Sequence, residues 1–334
     1  MKRANHLYNQ ITTHENLRNA FRKAAKGKQT NNEVVQFRIH FDAGIQSLRD
    51  QLLSHKPDIG HYQFFVVRDP KVRTICAASF PERVLHHAIM NICEPVLDSY
   101  SIHDSYACRK GKGNLRALAR AQEFARRYAW YLKLDIRKYF DSIDHVITLK
   151  LLARQFKESD LLTLFHTILK TYNTQPGKGV PIGNLISQYL ANFYLGLFDH
   201  WIKETLKVKG YVRYMDDFIL FSNDRSMLKT ELKASECFLK NHLDLNLKQN
   251  IQLNRSVLGV PFLGFRVFPN HTRLLPQSRK RFSNKLREYE KNYYEGKWTE
   301  RELIRHMQPL NAFTDAGDSR PFRRMVMKRF GVLS

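Results

Sequence analysis

Apolar and polar residues follow two patterns along this chain, and each pattern predicts one kind of element. Apolar residues at helical spacing, bounded by capping or breaking residues, predict helices. They cover 33–53, the stretch after Pro81, the stretch after Gly113, 158–171, 185–206 and 225–242. Short apolar runs between turn residues predict strands at 62–67, 71–77, 130–136, around 251–258 and around 261–268, with a hairpin over 210–223.

The mixture of helices and short strands predicts an α+β fold. Residues 1–32 are polar and basic and are predicted to form an N-terminal arm or a short helix. From about residue 273 the chain becomes basic and helical, which predicts a separate helical appendage. No internal repeat, low-complexity block or flexible linker divides the sequence.

Charge narrows the choice of partner more than composition does. The 334 residues are 43% hydrophobic, as in ordinary globular proteins, but 55 Lys and Arg against 31 Asp and Glu give a net charge of +24. Such an excess predicts a polyanion, with binding that weakens as salt rises. No apolar run is long enough to span a membrane, and the N-terminus lacks the apolar core of a secretory signal. The scattered cysteines predict reduced thiols in a cytoplasmic protein: Cys76, Cys93, Cys108 and Cys237.

Two acidic sites stand out in this basic chain. Asp135 closes the apolar strand WYLKLD, and Asp216 and Asp217 form the tip of the hairpin YVRYMDDFILF. Adjacent carboxylates repel one another unless a divalent cation takes up the charge. Two Mg²⁺ ions held by a few carboxylates are the usual device for in-line phosphoryl transfer. Together with the basic charge, these sites predict a nucleic-acid polymerase or nuclease; a merely polar hairpin turn is the alternative.

The tetrad Tyr214 to Asp217 resembles the YxDD signature of reverse transcriptases. LDIRKYFDSIDH resembles the first carboxylate motif of that family, RDPKVRTICAASF its fingers segment, SYACRKGKG the block before the palm, and GVPFLGFRVF its primer grip. The resemblance covers about residues 60–270 and implies a right-hand polymerase, an RNA-directed DNA polymerase. It divides the chain into a basic N-terminal arm (1–32), fingers with part of the palm (33–129), palm (130–272, with a finger insertion at about 145–180) and a helical thumb (273–334).

The resemblance also implies the catalytic residues. Asp135 and Asp216 would hold two Mg²⁺ ions, for which Mn²⁺ can substitute. Asp217 would complete or support the site, and the backbone carbonyl of Ile136 would add a ligand. The primer 3′-hydroxyl would then attack the α-phosphate of a dNTP.

Nucleotide-binding roles follow from the same resemblance. Lys71 and Arg73 would neutralise the triphosphate, with Arg68 as a further candidate. Phe140 would be the steric gate against a ribose 2′-hydroxyl, with Tyr139 as the rival gate and a plain core aromatic as the alternative. The remaining candidates are Ile182 and Gly183 in the floor of the pocket, Gln188 in the helix that follows, and Lys248, which contacts the nucleotide, acts as a general acid or is a solvated lysine.

Template and primer contacts are expected at three places. The turn carrying Arg109, Lys110 and Lys112 would hold template phosphates. Gly264 would let the primer backbone approach closely, with a strand bulge as the alternative. Basic residues of the thumb would contact the duplex backbone, with a solvated helix face as the alternative: Lys280, Arg281, Lys285 and Arg287.

The stretch PIGNLISQ (181–188) indicates the kind of reverse transcriptase. Group II intron enzymes typically have QGxxxSP here, whereas IGxxxSQ resembles the enzymes of diversity-generating retroelements in bacteria and phages. No segment resembles an RNase H, integrase, endonuclease or maturase domain. The resemblance implies adenine-specific misincorporation while a template-repeat RNA is copied into cDNA for mutagenic retrohoming, with a pentameric, basic accessory variability protein as partner. The alternatives are a retron-like or defence-associated enzyme, a non-catalytic RNA-binding scaffold and a nuclease.

Overall fold

A computed structural model gives the structure of residues 3–69 and 71–330. The helices are α1 (Tyr8–Ile11), α2 (His14–Ala25), α3 (Asn32–Ile39), α4 (Phe41–Leu53), α5 (Phe80–Tyr100), α6 (Asn114–Arg127), α7 (Tyr139–Ser142), α8 (His145–Gln155), α9 (Ser159–Lys170), α10 (Leu185–Tyr194), α11 (Gly196–His200), α12 (Arg225–Leu243), α13 (Pro276–Tyr294), α14 (Glu300–Asp315) and α15 (Arg320–Phe330). The strands are β1 (Tyr62–Val67), β2 (Arg73–Ala78), β3 (Trp130–Asp135), β4 (Gly210–Tyr214), β5 (Asp217–Ser222), β6 (Gln252–Arg255), β7 (Val260–Phe262), β8 (Phe265–Val267) and β9 (Thr272–Leu274).

The chain forms two compact units. The first unit comprises Met1–His103, Ile136–Leu206 and Ala234–Lys248, and the second comprises Asp104–Asp135, Lys207–Lys233 and Gln249–Ser334. The predicted α+β class is present in this mixture of helices and antiparallel sheets. The boundaries predicted for arm, fingers, palm and thumb remain predictions.

The first unit is built around α5, most of whose apolar residues are buried. Helices α1, α2, α3, α4 and α10 pack against α5. The segment 1–32, predicted as an arm or short helix, buries Leu17, Ala20 and Phe21 of α2 in this core. The Thr13 side chain caps α2 by accepting a hydrogen bond from the Asn16 amide. Strands β1 and β2 form an antiparallel ribbon in the same unit.

The second unit contains an antiparallel sheet with the strand order β4-β5-β3-β6. Helix α6 buries its apolar side in a core shared with this sheet and with the smaller sheet β7-β8-β9. Helices α13 to α15 share a small core around Phe282, Leu286 and Val326. The strands that carry the predicted aspartates are therefore anchored on a well-packed scaffold.

Three predicted elements differ from the structure. The helix predicted over 33–53 breaks at His40, whose backbone (φ −105°, ψ 37°) leaves the helical region between α3 and α4. The helix predicted over 185–206 divides into α10, α11 and a π-helical turn, Trp201–Thr205. The strand predicted around 261–268 is a tight hairpin of β7 and β8, because Leu263 and Gly264 have positive φ.

Several other expectations concern single features. Each of the four cysteines is a free thiol. Among the helices of residues 3–69 and 71–330, none combines the length and apolarity needed to cross a bilayer. Pro70, between the strands predicted at 62–67 and 71–77, lies outside the described residues.

Candidate active site

The three predicted aspartates lie at one end of the four-stranded sheet in the second unit. Asp135, the last residue of β3, stands directly opposite Asp217, the first residue of β5. Asp217 also pairs with Tyr214, so that Met215 and Asp216 form a two-residue turn between β4 and β5. The register thus places Asp216 at the tip of the hairpin, beside the carboxylates of two neighbouring strands.

The turn holds its first residue in an unfavourable conformation. Met215 has a φ of 55°, the sign that favoured two-residue hairpin turns require at this position. For a residue with a Cβ, the left-handed region costs about 1–2 kcal/mol. Strain of this kind persists only where the surroundings hold the backbone in place.

The surroundings of Asp217 set its charge. Burial raises the pKa of the Asp217 carboxyl to about 6, and the charges of Asp135 and Asp216 act in the same direction. Lys133 opposes this shift, because its Nζ lies 3.0 Å from Oδ2 of Asp217. Further positive charge near Asp217 would therefore stabilise the ionised form of its carboxyl group.

The carboxylates fit a divalent cation. Oδ1 of Asp217 is buried and has no hydrogen-bond partner within the described part of the chain, and a hard cation satisfies such an oxygen. Across residues 3–69 and 71–330, no group of three or more His, Cys, Asp or Glu side chains is arranged so that it could hold a metal ion by itself. Mg²⁺ commonly takes only one or two carboxylates and completes its shell with water and substrate phosphates. The aspartates can therefore supply part of such a shell.

Lys133 belongs to this site, although its role was not predicted from the sequence. Lys133 and Asp135 are two residues apart on β3, so their side chains point to the same face of the sheet. The alternation of Lys133, Leu134 and Asp135 was therefore the signal by which the sequence could have placed Lys133 beside Asp135. The sequence does not show that Lys133 pairs with Asp217, because this pairing depends on the register between β3 and β5.

The cations expected to bind the triphosphate lie on the β1–β2 ribbon of the first unit. Arg73 begins β2 opposite Val67, and its side chain is exposed. Lys71 and Arg68 are exposed as well and flank the turn of the ribbon. These side chains are therefore available to a charged ligand, and their triphosphate role stays a prediction.

The Ile182–Gly183–Asn184 turn is fastened to β2 in the same unit. The carbonyl of Ile182 accepts a hydrogen bond from the Cys76 amide at 2.7 Å, and Oδ1 of Asn184 accepts one from the Ala78 amide at 3.3 Å. Gly183 has a φ of 118°, and a Cβ there would lie 2.7 Å from Cγ2 of Ile75. The glycine thus admits the protein's own strand, and Ile182 remains half-buried.

The two candidate gate residues have different surroundings. Tyr139 is buried, and its hydroxyl donates a hydrogen bond to the carbonyl of Ala191. Phe140 is only half-buried, and its ring packs edge-on against Tyr139. Tyr139 is therefore committed to the core, which leaves Phe140 as the candidate gate.

Three further candidates lie in the first unit. Ile136 is buried and forms a β-bridge with Leu247, the residue before Lys248. Lys248 itself is half-buried. Gln188 lies in the first turns of α10 and is also half-buried. The roles expected for the Ile136 carbonyl and for these two side chains stay predictions.

The expected template and primer residues make contacts inside the second unit. Nη1 of Arg109 donates to the carbonyl of Ser105 at 2.9 Å, and Nζ of Lys112 lies 5.0 Å from the ring centre of Tyr106. Lys110 is exposed. Gly264 (φ 87°) is a turn residue rather than a bulge, and a Cβ there would lie 2.9 Å from Oγ of Ser278. The absence of a side chain at Gly264 makes room for Ser278 of α13. The role expected for Gly264 toward a primer stays a prediction.

The basic residues of α13 separate into two groups. Lys280 and Arg287 are seven residues apart and exposed. Arg281 and Lys285 line a cavity of about 230 Å³ together with Tyr289 and Phe313. The helix therefore presents cations both to solvent and to this cavity, and duplex binding stays a prediction for both groups.

Comparison with known proteins places this geometry in context. The model of the family described as reverse transcriptase (RNA-dependent DNA polymerase) matches residues 55–267. Protein YkfC of Escherichia coli (strain K12) is 24% identical over 297 residues, covering 73% of this chain and 75% of that protein. The group II intron-encoded protein LtrA of Lactococcus lactis subsp. cremoris is 29% identical over 175 residues, covering 49% of this chain and 28% of LtrA.

A solved structure shares the fold. Apo telomerase from Candida tropicalis aligns with a TM-score of 0.50 and 12% identity, over 80% of this chain and 59% of the telomerase chain. At that identity the likeness speaks for the fold alone. The chain spans less than two thirds of LtrA and of the telomerase chain.

Proposed function

This chain belongs to the reverse transcriptase (RNA-dependent DNA polymerase) family, and from that premise we propose that it extends a primer 3′-hydroxyl along an RNA template. The observation that carries the proposal is the register that sets Asp135 opposite Asp217 and puts Asp216 in the adjoining turn. The net charge of +24 supports a nucleic-acid substrate.

The proposed mechanism assigns a task to each group of residues. Divalent cations, proposed to be Mg²⁺, would supply positive charge to an in-line displacement. Asp135 and Asp216 would hold these ions, and Lys133 keeps Asp217 ionised through their 3.0 Å contact. Lys71 and Arg73 bind the triphosphate of the dNTP through their exposed cationic groups.

The bulky ring of Phe140 discriminates against a 2′-hydroxyl on the incoming nucleotide. The basic residues expected on the template turn and on α13 bind backbone phosphates, which position the nucleic acid without reading its sequence. The nucleic-acid partners of this proposal are the template RNA and the RNA/cDNA duplex.

Primer extension tests this activity directly. Purified protein receives a primed RNA template, dNTPs and Mg²⁺, and the extended primer is measured. Asp216→Ala should lower the rate by about 100-fold or more, because the lost charge stabilisation is worth several kcal/mol. Asp50→Ala, at an exposed position of α4, is the control and should match the wild type. Extension by Asp216→Ala at the wild-type rate would overturn the proposal.

We further propose that the enzyme serves a diversity-generating retroelement. In this role it copies a template-repeat RNA with errors opposite adenine and works with a pentameric accessory protein. The sequence IGNLISQ (182–188) supports the proposal. Ile182 offers an apolar, half-buried surface where a glutamine would offer hydrogen bonds, and apolar pockets discriminate by only about 1–3 kcal/mol.

Error spectra test this second proposal. Ile182→Gln should reduce misincorporation opposite template adenine by about 5- to 100-fold, in line with that energy range. Ile182→Leu keeps an apolar side chain and should leave the spectrum unchanged. Sequencing of cDNA made on an adenine-containing RNA gives the misincorporation frequency of each variant. A wild-type enzyme with equal error rates opposite all four bases would contradict the proposal, and a retron-like enzyme would become the better account.

A further inference from the structure

Arg213 is completely buried, which is unusual for an arginine. It lies in β4, is 0% exposed and is among the largest fully buried side chains in the described residues. Taking a guanidinium out of water costs several kcal/mol unless its charge and its donors are satisfied. Arg213 lies three residues before Asp216, so its contacts bear on the catalytic turn.

The side chain of Arg213 reaches the backbone of that turn. Its Nη1 donates a hydrogen bond of 3.0 Å to the main-chain carbonyl of Met215. This carbonyl belongs to the planar peptide that joins Met215 to Asp216, and the peptide rotates as one unit. A hydrogen bond from a charged donor is about twice as strong as a neutral one. The bond therefore holds the orientation in which the chain enters Asp216 and offsets the strain of the positive φ at Met215.

The backbone of Arg213 is held as firmly as its side chain. Its amide donates to the carbonyl of Asp104 at 3.0 Å, and its carbonyl accepts from the Tyr106 amide at 3.0 Å. Ser105 bridges Arg213 in parallel, so the segment 104–106 covers the open edge of β4. The Asp104 carboxylate is in turn fixed by Nε of Arg120 at 2.9 Å.

We propose that Arg213 is a positioning residue for the reaction: through the Met215 carbonyl, it sets the peptide that aims the Asp216 carboxylate. The inference rests on the proposed function, because it requires Asp216 to hold a divalent ion. A displacement of about 1 Å in a catalytic group can cost about 100-fold in rate. The position of Arg213 inside the scaffold explains why the donor is a rigid, buried guanidinium rather than a flexible surface lysine.

Arg213→Lys and Arg213→Met test the proposal. Lysine keeps the charge but loses the fork geometry, and methionine removes every donor. Mn²⁺ binding is measured by electron paramagnetic resonance without nucleotide, and kcat and KM are measured by primer extension. We expect Arg213→Lys to fold, to weaken Mn²⁺ binding and to lower kcat by about 10- to 100-fold, with the KM for dNTP little changed. Arg213→Met should weaken Mn²⁺ binding and lower kcat more than Arg213→Lys does.

Arg225→Lys is the matched control, since Arg225 lies over the ring of Trp130 at an exposed position of the same unit. It should bind Mn²⁺ and react as the wild type does. Arg213→Lys with unchanged Mn²⁺ affinity and kcat would overturn the proposal, as would an Arg213→Lys protein that does not fold, because the residue would then serve stability alone. A wild type that extends no primer would instead count against the proposed function, and the Mn²⁺ measurement would still test Arg213.

Discussion

At the scale of single residues, the site depends on the charges around Asp217, a half-buried carboxylate. Asp217 faces Asp135 across the sheet and follows Asp216, and the ammonium group of Lys133 is 3.0 Å away. Burial and like charges raise its pKa, and the lysine limits the rise. Lys133 offsets part of the negative charge of these carboxylates, and in the proposed mechanism a divalent metal would offset more of it.

In the proposed mechanism, selection against a ribose 2′-hydroxyl depends on Phe140. Phe140→Val should raise ribonucleotide incorporation relative to deoxynucleotide incorporation by about 10- to 100-fold, because a smaller side chain leaves room for the 2′-hydroxyl. Single-nucleotide kcat/KM values for a dNTP and its ribose counterpart measure the ratio. Tyr139→Phe is the control. It removes the buried bond to Ala191, costs about 1 kcal/mol of stability and should not change the ratio. A higher ratio in Tyr139→Phe alone would show that the gate has been misassigned.

Glu231 predicts a pH dependence of stability. Burial raises the pKa of its carboxyl from 4.5 to about 7, so the folded state holds the proton more tightly than the unfolded chain does. The contribution of Glu231 to the free energy of unfolding is therefore greatest below about pH 4.5. It falls as the pH rises to about 7, by up to about 1.4 kcal/mol per pH unit. Glu231→Gln should reduce this loss in urea denaturation series between about pH 5 and pH 8. Glu236→Gln, exposed on the same helix, should keep the wild-type slope, and identical slopes in all three proteins would refute the prediction.

The sequence predicts candidate roles for some residues of the site and not for others. The aspartates could be proposed as metal ligands because their residue type and their position at strand ends are visible in the sequence. Lys133 and Arg213 were missed, because their roles depend on which atoms they meet across the sheet and in the turn. Gly183 was expected in the floor of the nucleotide pocket, and Gly264 was expected to let a primer backbone approach. An added Cβ would meet Ile75 at Gly183 and Ser278 at Gly264, contacts that the sequence does not show.

At the scale of elements, short turns were easier to predict than long helices. The hairpin of β4 and β5 forms as predicted, because two apolar runs around a short turn allow few registers. Its turn differs by one residue: Met215 and Asp216 form it, and Asp217, predicted at the tip, is the first residue of β5. The helix predicted over 185–206 divides instead. Gly196 lets the ring of Tyr100 approach so closely that a Cβ there would lie 2.7 Å from it. A contact between distant residues of this kind leaves no local periodicity to detect.

The docking of the 182–184 turn on β2 can be tested at Gly183. Gly183→Ala should lower the free energy of unfolding by about 1–3 kcal/mol, because φ is positive and a Cβ would lie 3.0 Å from the carbonyl of Cys76. Gly177→Ala is the control, since φ is also positive (73°) but no atom lies within 4 Å of the added carbon. Urea denaturation compares the two variants. Equal losses would show that packing against β2 contributes nothing beyond backbone strain.

At the scale of the whole molecule, the family match covers residues of both units. The matched residues, 55–267, include the ribbon β1–β2, the 182–184 turn and all three aspartates. The predicted right-hand polymerase fold and the RNA-directed DNA polymerase class are confirmed at the level of the family. The retroelement role and the accessory protein remain proposals, because they depend on a short motif and on partners that act from outside the chain.

The central claim is that the opposed carboxylates of β3 and β5 serve templated DNA synthesis. The most direct test is single-turnover incorporation of one dNTP opposite a defined base of a primed RNA, with Mg²⁺, by the wild type and by Asp135→Asn and Asp50→Asn. We predict that the wild type and Asp50→Asn incorporate at the same rate and that Asp135→Asn is slower by about 100-fold or more. A wild type without incorporation, or Asp135→Asn at the wild-type rate, would contradict the account.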